Sequence, residues 1–209
     1  MRRIALAASI LAALVLAAFA RNFAMPPLVP ANSIAFHDAH PDEKLTLAAD
    51  PYDTPQKAAL FHPDMLGHAV LPVLVVLTND GDASILLDHA RFQLVTRDRA
   101  KSDPFTLDDL RRALTAIRAP RSRSEDQIPI PLPGKNSPHG GVSPRDVDQL
   151  QHAIFAARAI PPHATLQGFL FFDTTGLDHP ADGARLYLTG ATANQAHELM
   201  YFEVPLSQP

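Results

Sequence analysis

The chain has 209 residues, with 22 acidic and 18 basic side chains, and Arg2 and Arg3 are the charges of its first twenty positions. Without those two, 16 basic residues stand against 22 acidic ones, a balance with no general attraction for phosphate backbones that argues against nucleic acid as a partner. Cysteine is absent, which excludes disulfides, thiol chemistry and a lipid-modified cysteine; 20 scattered prolines and 9 glycines suit many strands ended by turns better than a helical bundle.

Two cations precede an apolar block from Ile4 to Ala20 whose one polar member is Ser9, the order a translocon reads. As a helix the block spans roughly 25 Å, at the short limit for a hydrocarbon core of about 30 Å. Ala18-Phe19-Ala20 places small side chains where signal peptidase needs them and predicts cleavage before Arg21. Left uncleaved, residues 4 to 20 form a single membrane anchor. Two residues ahead of the block leave too little of a twin-arginine motif. Residues 21 to 33 carry Pro26, Pro27 and Pro30 and read as a stiff spacer ahead of one domain over residues 34 to 206.

Within that domain Leu45 and Leu47 alternate with Lys44 and Thr46 in a first strand, and Thr54-Pro55 opens a short helix reaching about Phe61. Val70 to Leu77 is a nearly unbroken apolar run, which predicts a strand buried on both faces. It ends at Thr78-Asn79-Asp80-Gly81-Asp82, a turn composition that tolerates left-handed backbone. Ser84 to Leu87 and Ala90 to Thr96 continue an antiparallel meander, with Phe92 and Leu94 inward and Arg91 and Gln93 outward.

Thr106 with Asp109 resembles a capping box ahead of Leu107, Leu110, Leu114 and Ile117 on one helical face. Ser143-Pro144-Arg145-Asp146 repeats the pattern before Val147, Leu150, Ile154 and Ala157. The connection from Arg118 to Val142, rich in proline, serine and charge, reads as an exposed loop. Leu166 to Phe172, Arg185 to Thr189 and Leu199 to Val204 close the chain as strands. The expected fold is mainly β: an antiparallel β-sandwich with two amphipathic helices inserted at about residues 106 to 158.

Three segments carry a resemblance: Pro72-Val-Leu-Val-Val-Leu-Thr-Asn79, Leu87-Asp-His-Ala-Arg-Phe-Gln-Leu-Val95 and Ile160-Pro-Pro-His-Ala-Thr-Leu-Gln-Gly-Phe-Leu-Phe-Phe172. This pattern resembles immunoglobulin-like domains of bacterial envelope proteins over residues 66 to 206, with the two helices as departures. The resemblance implies a fold; it carries no functional residue across.

Ten histidines invite a metal reading, imidazole being the commonest metal ligand. His62, Met65 and His68 offer two imidazoles and a thioether suited to copper, and His37 and His40, near Asp42 and Glu43, offer a set more like that of zinc. The six-residue separation of His62 and His68 and the presence of Gly67 argue against one helical face; loop residues with Met65 packed as core explain the first set, and solvated turn residues explain the second. Phe171-Phe172-Asp173-Thr174-Thr175-Gly176 is similar to an aspartic-protease turn, yet an extra threonine interrupts it and no second copy supplies a partner carboxylate. His139-Gly140-Gly141 lacks the Gly-x-Ser-x-Gly that an esterase needs, and Asn79-Asp80-Gly81-Asp82 lacks the spacing and distal glutamate of an EF-hand. Arg111, Arg112, Arg118, Arg121 and Arg123 form a basic cluster largely offset by Asp108, Asp109, Glu125 and Asp126.

These readings converge on an exported, non-catalytic cell-envelope module that binds or supports another envelope protein or surface component and requires no cofactor. The alternatives are a periplasmic copper or zinc protein using the histidines and Met65, and a hydrolase whose site is assembled from distant residues.

Overall fold

The computed structural model describes residues 23–116, 142–193 and 197–208. The apolar export block, Ile117 and most of the loop expected from Arg118 to Val142 lie outside these residues. No helix among the described residues is long and apolar enough to cross a membrane.

The chain is mainly β, with antiparallel sheets and few helices. The strands are β1 (His37–His40), β2 (Leu45–Pro51), β3 (Val70–Asn79), β4 (Ile85–Leu86), β5 (Arg91–Val95), β6 (Lys101–Ser102), β7 (Ala159–Ile160), β8 (Ala164–Asp173), β9 (Arg185–Thr189), β10 (Thr192–Ala193), β11 (His197–Glu198) and β12 (Phe202–Pro205). The helices are α1 (Pro55–Ala58), α2 (Leu107–Thr115) and α3 (Pro144–Ala153). One sheet runs β1-β2-β3-β8, a second β12-β9-β5-β6, and a third, of two-residue strands, β11-β10-β4-β7.

β3 organises the molecule. It pairs with β2 on one side and β8 on the other, and all ten of its residues are buried. Leu71, Val73, Val75 and Leu77 face one way, against Leu94, Leu186, Leu188, Phe202 and Val204 of the second sheet. Val70, Leu74 and Val76 face the other way, with Phe169 and Phe171 of β8, against Leu110 and Leu114 of α2 and Leu150 and Ala153 of α3. Helices, first sheet and second sheet thus form three layers. The middle one reads as a continuous apolar run because neither of its faces meets water.

The expected caps form. The Thr106 side chain accepts the Asp109 N–H at 3.2 Å, and Ser143 and Asp146 exchange both bonds of a capping box. Two-residue strands carry no period, so the third sheet had only Ile85–Leu86 within an expected strand. α1 keeps its Thr54 cap but ends at Ala58, and β12 begins at Phe202 rather than Leu199.

The segment from Phe23 to Ser33 is not a free spacer. Ala31 is fully buried and its N–H donates to Thr78 Oγ1 at 2.9 Å, the Pro26 carbonyl accepts from Gln167 Nε2 at 2.6 Å, and Phe23 stacks on Phe61 at 5.9 Å. Proline stiffness does give an extended chain, but one whose Phe23, Met25 and Ala31 pack against the sheet face beside the helices while Leu28 and Val29 stay exposed.

Asn79 joins the third sheet to the first. It is fully buried at the end of β3, its Nδ2 lies 2.8, 3.2 and 3.0 Å from the carbonyls of Ala83, Ile160 and Pro161, and its Oδ1 accepts the Gly81 N–H at 2.9 Å. The Asn-Asp-Gly-Asp segment is therefore a turn fastened by its asparagine. Its Asp82 meets His163 at 3.0 Å.

Candidate functional site

The structure disperses the copper set. Met65 is fully buried in the core beneath α3, packed with Phe61 and Leu150, while His62 is exposed and points its Nδ1 to Asp146 Oδ1 at 3.0 Å. His68 turns its Nδ1 to its own loop, 2.8 Å from the Asp64 carbonyl. Among the described residues no group of three or more His, Cys, Asp or Glu side chains is placed to hold a metal ion.

His37 and His40 stand on β1, an edge strand paired with β2, rather than in a turn. His37 Nδ1 lies 2.7 Å from the Ile34 carbonyl. His40 stacks on Phe202 with centroids 4.0 Å apart; its Nδ1 meets Glu43 at 2.9 Å and its Nε2 meets Asp38 at 3.3 Å. Both ring nitrogens are thus taken by carboxylates on opposite edges of the ring, which is a clamp and not a ligand set. The same carboxylates accept the N–H groups of Met200 and Glu203, so the clamp fastens β1 to the C-terminal segment.

Ser143, Asp146 and His62 come together in the wrong order for nucleophilic catalysis. A base must hold the serine proton on its imidazole, whereas Ser143 Oγ donates to Asp146 Oδ2 at 2.7 Å and the carboxylate stands between hydroxyl and ring. Burial pushes the Asp146 carboxyl up; the Ser143 hydroxyl and N–H, with His62 beside it, outweigh that and leave it below its ordinary value. Asp173 is likewise structural. Its Oδ1 accepts the Thr175 N–H at 2.9 Å, and the buried Thr174 hydroxyl donates to the Ala69 carbonyl at 2.9 Å. Of the basic cluster, Arg111 and Arg112 pair along α2 with Asp108 and Asp109; the other three arginines, and His139-Gly140-Gly141, lie outside the described residues.

A different feature offers a binding surface. The first and second sheets present their edges β8 and β5-β6 on the same side of the molecule, and two chain crossings cover the β8 edge. The Phe105 N–H donates to the Phe171 carbonyl at 2.8 Å where the chain enters α2, and the Phe155 N–H donates to the Phe169 carbonyl at 2.9 Å where it leaves α3. Between these crossings and the start of β5 lies a groove of about 410 Å³, within the range of about 300–1,000 Å³ common for ligand sites. Half-buried Phe92, Phe105 and Phe155 line it, with the Phe92 and Phe155 rings edge to face at 5.6 Å. Arg91 and Asp103 stand at its lip.

Gly168 makes the second crossing possible. A Cβ there would lie 2.6 Å from Phe155 Cα, so the absence of a side chain lets the Phe155 backbone reach the strand. The alternation of β5 turns Phe92 inward, but no local sequence pattern assembles the groove. Two signals point to it: an aromatic immediately outside each helix cap, and a glycine in the middle of an otherwise bulky strand.

Comparison with protein-family models, with curated proteins and with solved structures finds no match to this chain.

Proposed function

We propose that the chain is an exported, non-catalytic module of the bacterial cell envelope, built as an immunoglobulin-like sandwich, that binds another envelope component through the groove between β5 and β8. The observation that carries this reading is the recess itself: three phenylalanine rings stand half-buried around an open volume of about 410 Å³ instead of closing it. Its lining, in which the three rings share the surface with main-chain groups, one guanidinium and one carboxylate, suits recognition of a partner through polar and apolar contacts together. The cations and apolar block of residues 2 to 20 support export, and the mature location follows from whether that block is removed or retained.

The test is photocrosslinking in living cells, with a photoreactive phenylalanine analogue at position 155 and, as a control, at exposed position 151 on the outer side of α3. Adducts to an envelope component from position 155 and none from position 151 are expected. Equal adducts from both positions, or none from 155, overturn the assignment. The mass of the mature chain, measured alongside, reports whether residues 1 to 20 remain.

A further inference from the structure

We propose, resting on the groove as the binding surface, that its occupant is an extended peptide segment of the partner. It adds as a strand beside β5, turns an apolar side chain inward against Phe92 and Phe155, and places an acidic side chain opposite Arg91.

β5 has an unfinished edge. β5 pairs with β9 along all five residues from Arg91 to Val95, but β6 pairs with Leu94 and Val95 alone. Main-chain groups of a strand point alternately to its two sides. The Thr96 N–H bonds the Ala100 carbonyl on the β6 side, so Leu94 and Phe92 direct their N–H and C=O to that side as well. Continuing the register that pairs Leu94 with Ser102 would put Pro104 opposite Phe92. A proline has no N–H to give, and the next N–H, of Phe105, is already committed to Phe171 across the groove. The Phe92 carbonyl therefore faces the groove with no N–H beside it, and the Phe92 N–H donates to no main-chain carbonyl of the Asp103–Phe105 stretch among the described residues.

Side chains of an added strand would alternate like those of β5. Inward positions meet the rings of Phe92 and Phe155. Outward ones meet Arg91, which is exposed and has no hydrogen-bond or ionic partner among the described residues. Asp103 does not supply one, its Oδ1 accepting Gln93 Nε2 at 3.1 Å. A lone cation on an edge also serves to discourage aggregation, but that role needs no aromatic recess beside it. The open main chain, the recess and the exposed cation together select a peptide over a small aromatic acid, which would leave Phe92 unanswered.

The experiment selects a phage-displayed library of random nonapeptides on the full chain held in detergent, then measures an enriched, fluorescently labelled synthetic peptide by anisotropy. Enriched sequences are expected to alternate, with Asp or Glu at a fixed offset from an apolar residue. R91E weakens binding by roughly tenfold or more and R91K retains most of it; circular dichroism verifies that both variants fold. N-methylation of the one peptide amide that meets the Phe92 carbonyl also costs roughly tenfold or more, while methylation of its sequence neighbour costs little.

If no N-methylated position matters but F155A abolishes binding, strand addition falls and the groove reading stands. If no peptide is enriched while position 155 crosslinks in cells, the peptide falls and the groove again stands. Failure of both experiments removes both proposals. Self-association that rises with concentration and is lost in R91E would replace the peptide with a second copy of the chain.

Discussion

Asp146 shows how much one carboxylate near a helix start can hold. It closes the Ser143 capping box, lies 3.0 Å from His62 and is 8% exposed, so it fastens α3 both to its own first turn and to the loop after α1. Because its bonds favour the charged form over the opposing effect of burial, it titrates lower in the folded chain than in the unfolded one. A depressed carboxylate contributes stability that is present above its unfolded value of about 4 and is lost as pH falls through the folded value. Urea unfolding of the wild type and of Asp146→Asn between pH 7 and pH 3 should therefore show a wild-type advantage at neutral pH that closes below about pH 4. A gap of constant size across that range would show that the charge contributes nothing.

Among the elements, the Phe155 crossing is the one whose failure is simplest to arrange. A methyl at Gly168 would meet the Phe155 Cα at 2.6 Å and its N at 2.8 Å, both backbone atoms, so the crossing must move off the β8 edge. Gly168→Ala should lower stability by about 1–3 kcal/mol, the usual cost of overpacking, in urea denaturation, and should reduce the position-155 crosslink by opening that wall of the groove. Unchanged stability would mean that the edge yields freely. Elements whose environment has one clear period were legible in the sequence: the doubly buried β3, the alternating β5, and the helices α2 and α3 with their caps. β1 was not, because His-Asp-Ala-His on a sheet edge keeps one face in water and looks like a polar turn. The groove was legible only in fragments, because Phe92, Phe105 and Phe155 come from three separate segments and converge through the β8 edge, which no local pattern encodes.

For the molecule as a whole, the domain begins earlier than its composition suggests. Phe23, Met25 and Ala31 belong to the core between the first sheet and the helices, and Ala31 makes a buried bond to Thr78. Deleting residues 23 to 33 should expose that sheet face, leave the Thr78 hydroxyl without its donor from Ala31, and cost roughly 2–5 kcal/mol, as for removal of a large buried side chain. Thermal unfolding of chains starting at Arg21 and at Ile34 measures it, and equal midpoints would return the segment to the role of a spacer. The order in which the layers come off the ribosome has a consequence too. β3, wholly buried in the finished protein, meets on one flank a strand far downstream, as the hydroxyl contact between Thr78 and Thr165 across 87 residues illustrates. Closing so long a loop is slow. A chain emerging amino end first therefore carries its most apolar strand half-dressed until nearly all of it has been made.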